Sequence, residues 1–553
     1  MTDFFAGHKK VTLIVLAGLI FLTSFFVRYG LYRVKGFVST TQFNLIIARN
    51  WAQTGLLSYE NKDNVVLSSK LVKSDGVPTN LGNKLNFYIY GLLFRYFGFQ
   101  PNLPMYASFI LNSLASVLFF FIIYRIYSLR VGLTAALLSA LAPFSLPASN
   151  AVGNNEWAVF FLAVAALVFF WPKERKILSL ALAGLFLGLS AAVKNSFFIA
   201  FLPFVILEFW PAGGLTKRSF LNSVVISLVF LAVVLPLFFI GGNVYLTEML
   251  GATNQYEDSF AVVGHLFPDS YTFHYDRDGF LKDHVASLGH ASGGWFQFWG
   301  DQGAFLEEFG YKVGFFRAEI ITRLYSAWIY FKGLFLSLIT FGGLLTWFFM
   351  VLGIIELREK KEKPLILFCA YFLATWILFL IFLKTSNFAQ LSIISLPVSL
   401  LAAVGLDKLA RSLSVTVDLW WLSTKKIEAA VIIIFLVVFV QISWWSIREL
   451  SLEFESTGSA IRAITAHPIS CPAGQLSVIM TGWQANILNY YNNCSFVYFA
   501  PSTIKKLAEK EELGQALKIY GIAGYLGYSD EITTIIKKNT VGLKEYKIEG
   551  IKL

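Results

Sequence analysis

Long apolar runs separated by short polar segments dominate the chain. The first, Val11 to Val27, follows His8-Lys9-Lys10, and others fall near 105–124, 131–147, 156–171, 177–193, 195–210, 219–241, 334–355, 364–383, 388–406 and 427–446. Each is close to the length that crosses a hydrocarbon core as a helix, which predicts about eleven transmembrane helices. No small-residue cleavage pattern follows the first run, so it reads as a retained anchor and not as a removed signal. Three stretches break the pattern: 28–104, 242–333 and the tail from 447 to 553. The tail alternates strand-like runs (Leu476–Met480, Phe496–Phe499, Ile522–Leu526) with polar helical stretches such as Ser502–Tyr520. That alternation predicts a small soluble α/β domain. The fold class expected is therefore a polytopic α-helical membrane protein, with a transmembrane domain over 1–446 and a C-terminal soluble α/β domain over 447–553.

Composition agrees. Of 553 residues, 56% are hydrophobic and 14% charged, with a mean hydropathy of +0.63, against about 45–50% and about 25% in soluble domains. The net charge of +11 does not indicate nucleic acid, because the basic residues lie in short clusters between apolar runs. With the N-terminus in the cytoplasm, seventeen Lys and Arg fall in short inner segments, among them Lys9, Lys10, Arg125, Arg130, Lys217, Arg358, Lys408, Arg411 and Lys425. The short outer loops hold only Lys194 and Lys384. This positive-inside bias orients the chain. An odd number of spans then places the tail, with Cys471 and Cys494, outside, where a disulfide between them would persist. Cys369, inside a span, reads as a small buried apolar residue.

In the first outer loop, Phe43, Ile47 and Trp51 recur at helical spacing, with Gln42, Arg49 and Gln53 on other faces. Residues 41–53 are expected to form an amphipathic interfacial helix, capped by Thr40 or Thr41. The stretch Thr40-Thr41-Gln42-Phe43-Asn44-Leu45-Ile46-Ile47-Ala48-Arg49-Asn50, with Gly55 following, resembles the opening loop of the GT-C glycosyltransferases, closest to the protein mannosyltransferase and aminoarabinose transferase branch. Asn83-Lys84-Leu85-Asn86-Phe87-Tyr88-Ile89-Tyr90, followed by Phe94-Arg95-Tyr96-Phe97-Gly98, resembles the family's Asn-Lys-Pro-Pro-Leu-Tyr-Tyr-Trp segment without its prolines. Ala183-Gly184 through Lys194 is similar to the Gly-rich fifth span ending in Thr-Lys, and Ser386 to Pro397 to a late span containing a Pro.

The resemblance implies a lipid-linked sugar phosphate as donor, reached from the outer leaflet, and transfer of the sugar to an acceptor hydroxyl. Such chemistry needs a carboxylate to take the acceptor's proton and fixed cations against the leaving phosphate. Lys84 matches the family's phosphate-contacting lysine; Lys194 is the cation of its short outer loop, and Arg49 is a further candidate for the lipid phosphate. Each could instead snorkel to headgroups without a ligand. The family's catalytic Asp falls at Thr40 or Thr41 here, and a Thr hydroxyl is no base at neutral pH. The carboxylate expected in its place is Glu156, after Asn154-Asn155 at the head of the fourth span, where the resemblance puts the family's second acidic residue, although the helix dipole alone also favours an acid there. Glu60 and Asp63 in the first loop are the alternatives.

The loop 242–333 holds four of the six histidines (His265, His274, His284, His290), together with Asp269, Asp276, Asp278, Asp283 and Asp301. No cofactor is firmly indicated, although histidine and carboxylate together could hold a divalent metal. The stretch from His274 to Gly279 resembles half a calcium loop but has Val285 at the closing Glu position. Its aromatics (Tyr271, Phe273, Tyr275, Trp295, Phe296, Phe298, Trp299) suit acceptor binding by stacking, or packing on the tail domain or on lipid.

The expected function is transfer of a sugar from a polyprenyl-phosphate-linked donor to a cell-envelope glycan, lipid or protein acceptor on the extracytoplasmic face of the inner or plasma membrane. The alternative is a non-catalytic relative that binds polyprenyl lipids or a partner, favoured by the Thr at the Asp position. A secondary transporter is disfavoured, since few ionisable residues lie inside the expected spans and no Gly/Pro-broken pair of spans recurs in matching halves.

Overall fold

The computed structural model describes residues 9–35, 42–55, 84–141, 155–172, 176–209, 216–241, 343–359, 395–416, 423–438, 440–441, 477–480, 495–498, 501–509, 511–519 and 522–546. The loop 242–333, the expected span 364–383, Thr40, Thr41, Glu60, Asp63, Cys369, Cys471 and Cys494 lie outside the described residues.

Helix α1 (Lys9–Lys35) carries the first apolar run. Val11, Ile14, Val15, Leu19, Leu22 and Phe26 form an exposed stripe along it, while Ile20, Ser24 and Arg28 face inward. A contiguous exposed apolar stripe of this kind is a surface suited to lipid or to a partner. After α2 (Gln42–Thr54) and α3 (Lys84–Phe97) come α4 (Leu103–Ile126), α5 (Leu129–Leu141), α6 (Asn155–Phe170), α7 (Ile177–Val193), a short 3₁₀ turn (Asn195–Ala200), α8 (Phe201–Phe209) and α9 (Lys217–Gly241). Three helices of the described residues are long and apolar enough to cross a membrane: Lys10–Gly30, Leu103–Ile126 and Lys217–Pro236. Helices α10 (Gly343–Glu359), α11 (Ser395–Thr416) and α12 (424–438) complete the helical core.

Glycines set how closely these helices approach. Gly184 and Gly188 stand one turn apart on α7, and a Cβ on either would come within 2.6 Å of the Ile226 carbonyl oxygen or 2.7 Å of the Val233 side chain on α9. Small residues four apart let backbones meet where lipid gives helices no hydrophobic drive to associate. Gly353 of α10 and Gly405 of α11 cross still more tightly, each against the other helix's backbone.

At one end of this core an ionic cluster joins four helices. Arg130 of α5 meets Asp407 of α11 at 2.5 Å and also pairs with Glu428 of α12. Arg411 bridges Asp407 at 3.1 Å and Glu356 of α10 at 2.8 Å, with Lys408 3.4 Å from Glu356. Arg130, Lys408 and Arg411, read from sequence as part of the inner charge belt, thus have acidic partners within the protein.

In the tail, β1 (Ser477–Met480), β2 (Ser495–Tyr498), β3 (Ile522–Leu526) and β4 (Lys544–Tyr546) form a parallel sheet of order β2-β1-β3-β4. Helices α13 (Pro501–Glu509), α14 (Leu513–Ile519) and α15 (Asp530–Asn539) accompany it. The stretch read as one helix over 502–520 is two, parted near Glu511, whose φ is +59°. Ile504, Leu513, Leu517, Tyr525, Ile532 and Ile536 make its core.

Candidate functional site

The expected amphipathic helix forms as α2 and packs on α3. Leu45, Ile46, Ile47 and Ala48 follow one another around the helix and are all fully buried, so this turn of α2 is enclosed on nearly every side and does not lie with one face open as an interfacial helix would. Trp51 meets Tyr88 edge to face at 5.1 Å and lies over Gly91, where any Cβ would strike the indole. Arg49 places its guanidinium over the Phe99 ring, 5.5 Å from the centroid. A cation over an aromatic face stabilises by about 0.5–2 kcal/mol, and here it joins α2 to the turn just past α3. Lys84 opens α3, at the opposite end from Phe99 and about 20 Å along the helix at 1.5 Å per residue.

Docked in this way, α3 presents Asn86, Phe87, Tyr90 and Phe94 inward, all buried. The Tyr90 hydroxyl donates to Glu156 Oε1 at 2.5 Å. Glu156 lies in the first turn of α6 and is 1% exposed. A helix start suits an acid because the first N–H groups are unsatisfied and the macrodipole is positive there. Behind it, Ser190 donates to the Ala158 carbonyl at 2.7 Å and fixes α7 against α6. That register brings Lys194, just past the end of α7, to Asn155 Oδ1, to which its ammonium donates. Lys194 is half-buried as a residue, with its ammonium enclosed; burial pulls its pKa down to about 8, opposed by the nearby charge of Glu156.

The arrangement therefore unites a carboxyl group, a phenol and an ammonium from three helices. Of the residues expected from sequence, Glu156 and Lys194 come together; Arg49 is engaged with Phe99, and Lys84 is placed only by its position at the head of α3. Glu60, Asp63, Thr40 and Thr41 lie outside the described residues.

Sequence reasoning passed over three partners. Tyr90 stood in the motif without a role. Asn86, one turn earlier on the same face, is fully buried, and among the described residues neither its Oδ1 nor its Nδ2 has a hydrogen-bond partner. The Trp157 ring lies 6.3 Å from Tyr90, and its buried Nε1 likewise has no acceptor among the described residues. Buried polar atoms are normally satisfied, so Asn86 and Trp157 leave donors and an acceptor for an incoming group. The i, i+4 spacing of Asn86 and Tyr90 was the signal that could have paired them.

The sequence matches no protein-family model, and no curated protein is similar to it in sequence. Solved structures are similar. The oligosaccharyltransferase of Archaeoglobus fulgidus in its apo form superposes with a TM-score of 0.52 at 13% identity, over 93% of this chain and 69% of that one. AglB from the same organism, in complex with an inhibitory peptide and a dolichol-phosphate, gives 0.51 at 12% identity over the same shares. ArnT from Cupriavidus metallidurans, in the apo state, gives 0.46 at 11% identity over 96% and 88%. At these identities the likeness is one of fold, and the chain has the GT-C fold of membrane glycosyltransferases.

Proposed function

We propose that this chain is a glycosyltransferase that moves a sugar from a polyprenyl-phosphate-linked donor to a cell-envelope glycan, lipid or protein acceptor on the extracytoplasmic face. One observation carries the reading: Glu156, buried at a helix start, accepts from Tyr90 and lies within electrostatic reach of Lys194. In the reaction the acceptor hydroxyl attacks the sugar's anomeric carbon. The bond from that carbon to the phosphate oxygen breaks, the hydroxyl proton passes to Glu156, and the phosphate leaves on its lipid. Lys194 and Lys84 offset the charge that develops on the leaving phosphate. Asn86 and Trp157 suit a neutral, hydroxyl-bearing headgroup, because a carboxamide and an indole N–H offer both donors and an acceptor. The dolichol-phosphate held by AglB supports a lipid-phosphate ligand for this fold. In this reading about eleven spans form a transmembrane domain over 1–446, the N-terminus is cytoplasmic, and the α/β domain over 447–553 is extracytoplasmic.

The test is sugar transfer from lipid donors in membranes carrying the parent chain or Lys84→Ala. The parent is expected to transfer, and the variant to show a raised KM. Failure of the parent with every donor tried would favour the non-catalytic lipid-binding alternative.

Lys194 adds a pH signature. Its proton is held below about pH 8 and lost above it. Anion binding keeps that proton on, so affinity for a polyprenyl phosphate is expected to be highest below about 8. Above that it should fall about tenfold per pH unit, as one coupled proton requires. Lys194→Arg, charged throughout, should remove the break. Titrations of the parent that stay flat from pH 7 to 9.5 would take Lys194 out of the site.

A further inference from the structure

Arg28 is 2% exposed, on the inward face of α1 with Ile20 and Ser24. Its Nη1 donates to the Ser24 carbonyl at 3.1 Å, to Ser24 Oγ, and to the Ala140 carbonyl of α5 at 3.4 Å. Among the described residues its buried Nε has no partner, no carboxylate pairs with it, and its acceptors are neutral. A guanidinium stays charged in any protein setting, and a buried charge without a counter-charge is strongly unfavourable. Elsewhere in the chain even the part-exposed Arg130 and Arg411 are held by acids, Asp407, Glu356 and Glu428.

We propose that Arg28 binds a lipid-borne phosphate, seated between the ends of α1, α4 and α5 that lie away from Lys9 and Lys10. Depth supports the assignment. Arg28 ends the apolar run, eighteen residues beyond Lys10, or about 27 Å along a helix, close to the roughly 30 Å of a hydrocarbon core. The anions at that level are lipid headgroups. The planar fork of arginine matches phosphate oxygens bidentately, and Nε is the donor still unused. The C-terminal turn of α5, which contributes the Ala140 carbonyl, supplies only partial negative charge. The described partners of Arg28 include no residue of the Glu156 and Lys194 cluster, and binding there does not require the transfer reaction.

The bland alternative is a guanidinium that simply caps α5. Melting of the purified full chain in a phosphate-free maltoside detergent separates the two, with phosphatidylglycerol, a polyprenyl monophosphate or inorganic phosphate added. For the parent, at least one of the two lipids is expected to raise Tm saturably, and for Arg28→Met the apparent affinity should drop about tenfold or more. Arg28→Lys should keep part of it. A response to phosphatidylglycerol would identify a bilayer lipid, and a response to the monophosphate alone a donor or product lipid. A photoreactive derivative of the responding lipid should label the parent within 24–35 or 137–141, a readout independent of any variant. Arg28→Met that is destabilised equally with and without lipid, a response to inorganic phosphate alone, or labelling confined to other segments would overturn the proposal.

Discussion

Glu156→Gln is expected to lower sugar transfer by about 10²–10⁴-fold, the range that a positioned general base contributes, while the amount of folded protein stays unchanged. Gln keeps an oxygen for the Tyr90 hydroxyl, so the link between α3 and α6 survives. What is lost is the group that takes the acceptor's proton. A second effect accompanies the first. The charge of Glu156 holds the Lys194 pKa up against burial, so its removal lets that pKa fall below about 8 and weakens phosphate binding at neutral pH. Assays near pH 6.5, with saturating donor, separate the two: the loss in kcat should persist there while the loss in donor affinity shrinks. Transfer within threefold of the parent at pH 6.5 would remove Glu156 from the chemistry.

Gly405→Leu should prevent a folded transmembrane core, and even Gly405→Ala should cost about 3 kcal/mol or more, the upper range of overpacking. A Cβ at Gly405 would fall on the Phe349 carbonyl oxygen and crowd the Gly353 backbone, and one at Gly353 would meet the Leu401 carbonyl. Backbone atoms cannot rotate aside as a side chain can, so the helices must separate. Separation would also strain the pairs of Glu356 with Lys408 and Arg411 across the same interface. Gly18, with open space around its position, is the control: Gly18→Ala should be neutral. A Gly405→Leu protein that runs as a single species on size exclusion with the parent's Tm would refute the packing argument.

Much of this architecture was legible in the chain. Runs such as 105–124 and 177–193 reappear as α4 and α7 almost to the residue, because seventeen or more apolar residues satisfy both the hydrocarbon and the backbone only as a helix. The pattern of Phe43, Ile47 and Trp51 gave α2, and Glu156 stands at the head of the fourth span, where the resemblance puts the family's second acidic residue. Arg49 shows the limit: its spacing gave a polar face, and only the turn after α3 decided that this face meets Phe99. Gly184, Gly188, Gly353 and Gly405 read in sequence as ordinary residues of apolar helices, because a glycine's partner across a helix crossing leaves no mark in the local pattern.

The sequence by itself determined the apolar helices, the acid at the head of α6 and the lysine past α7, since burial in hydrocarbon and the charge at helix ends act on each segment separately. Only the tertiary structure decided that Tyr90 reaches Glu156, that Lys194 shares its surroundings, and that Arg28 is buried with no acid beside it among the described residues. Those facts join residues 66, 38 and 112 positions apart, and distances across the fold are set by how helices pack, which no periodicity encodes.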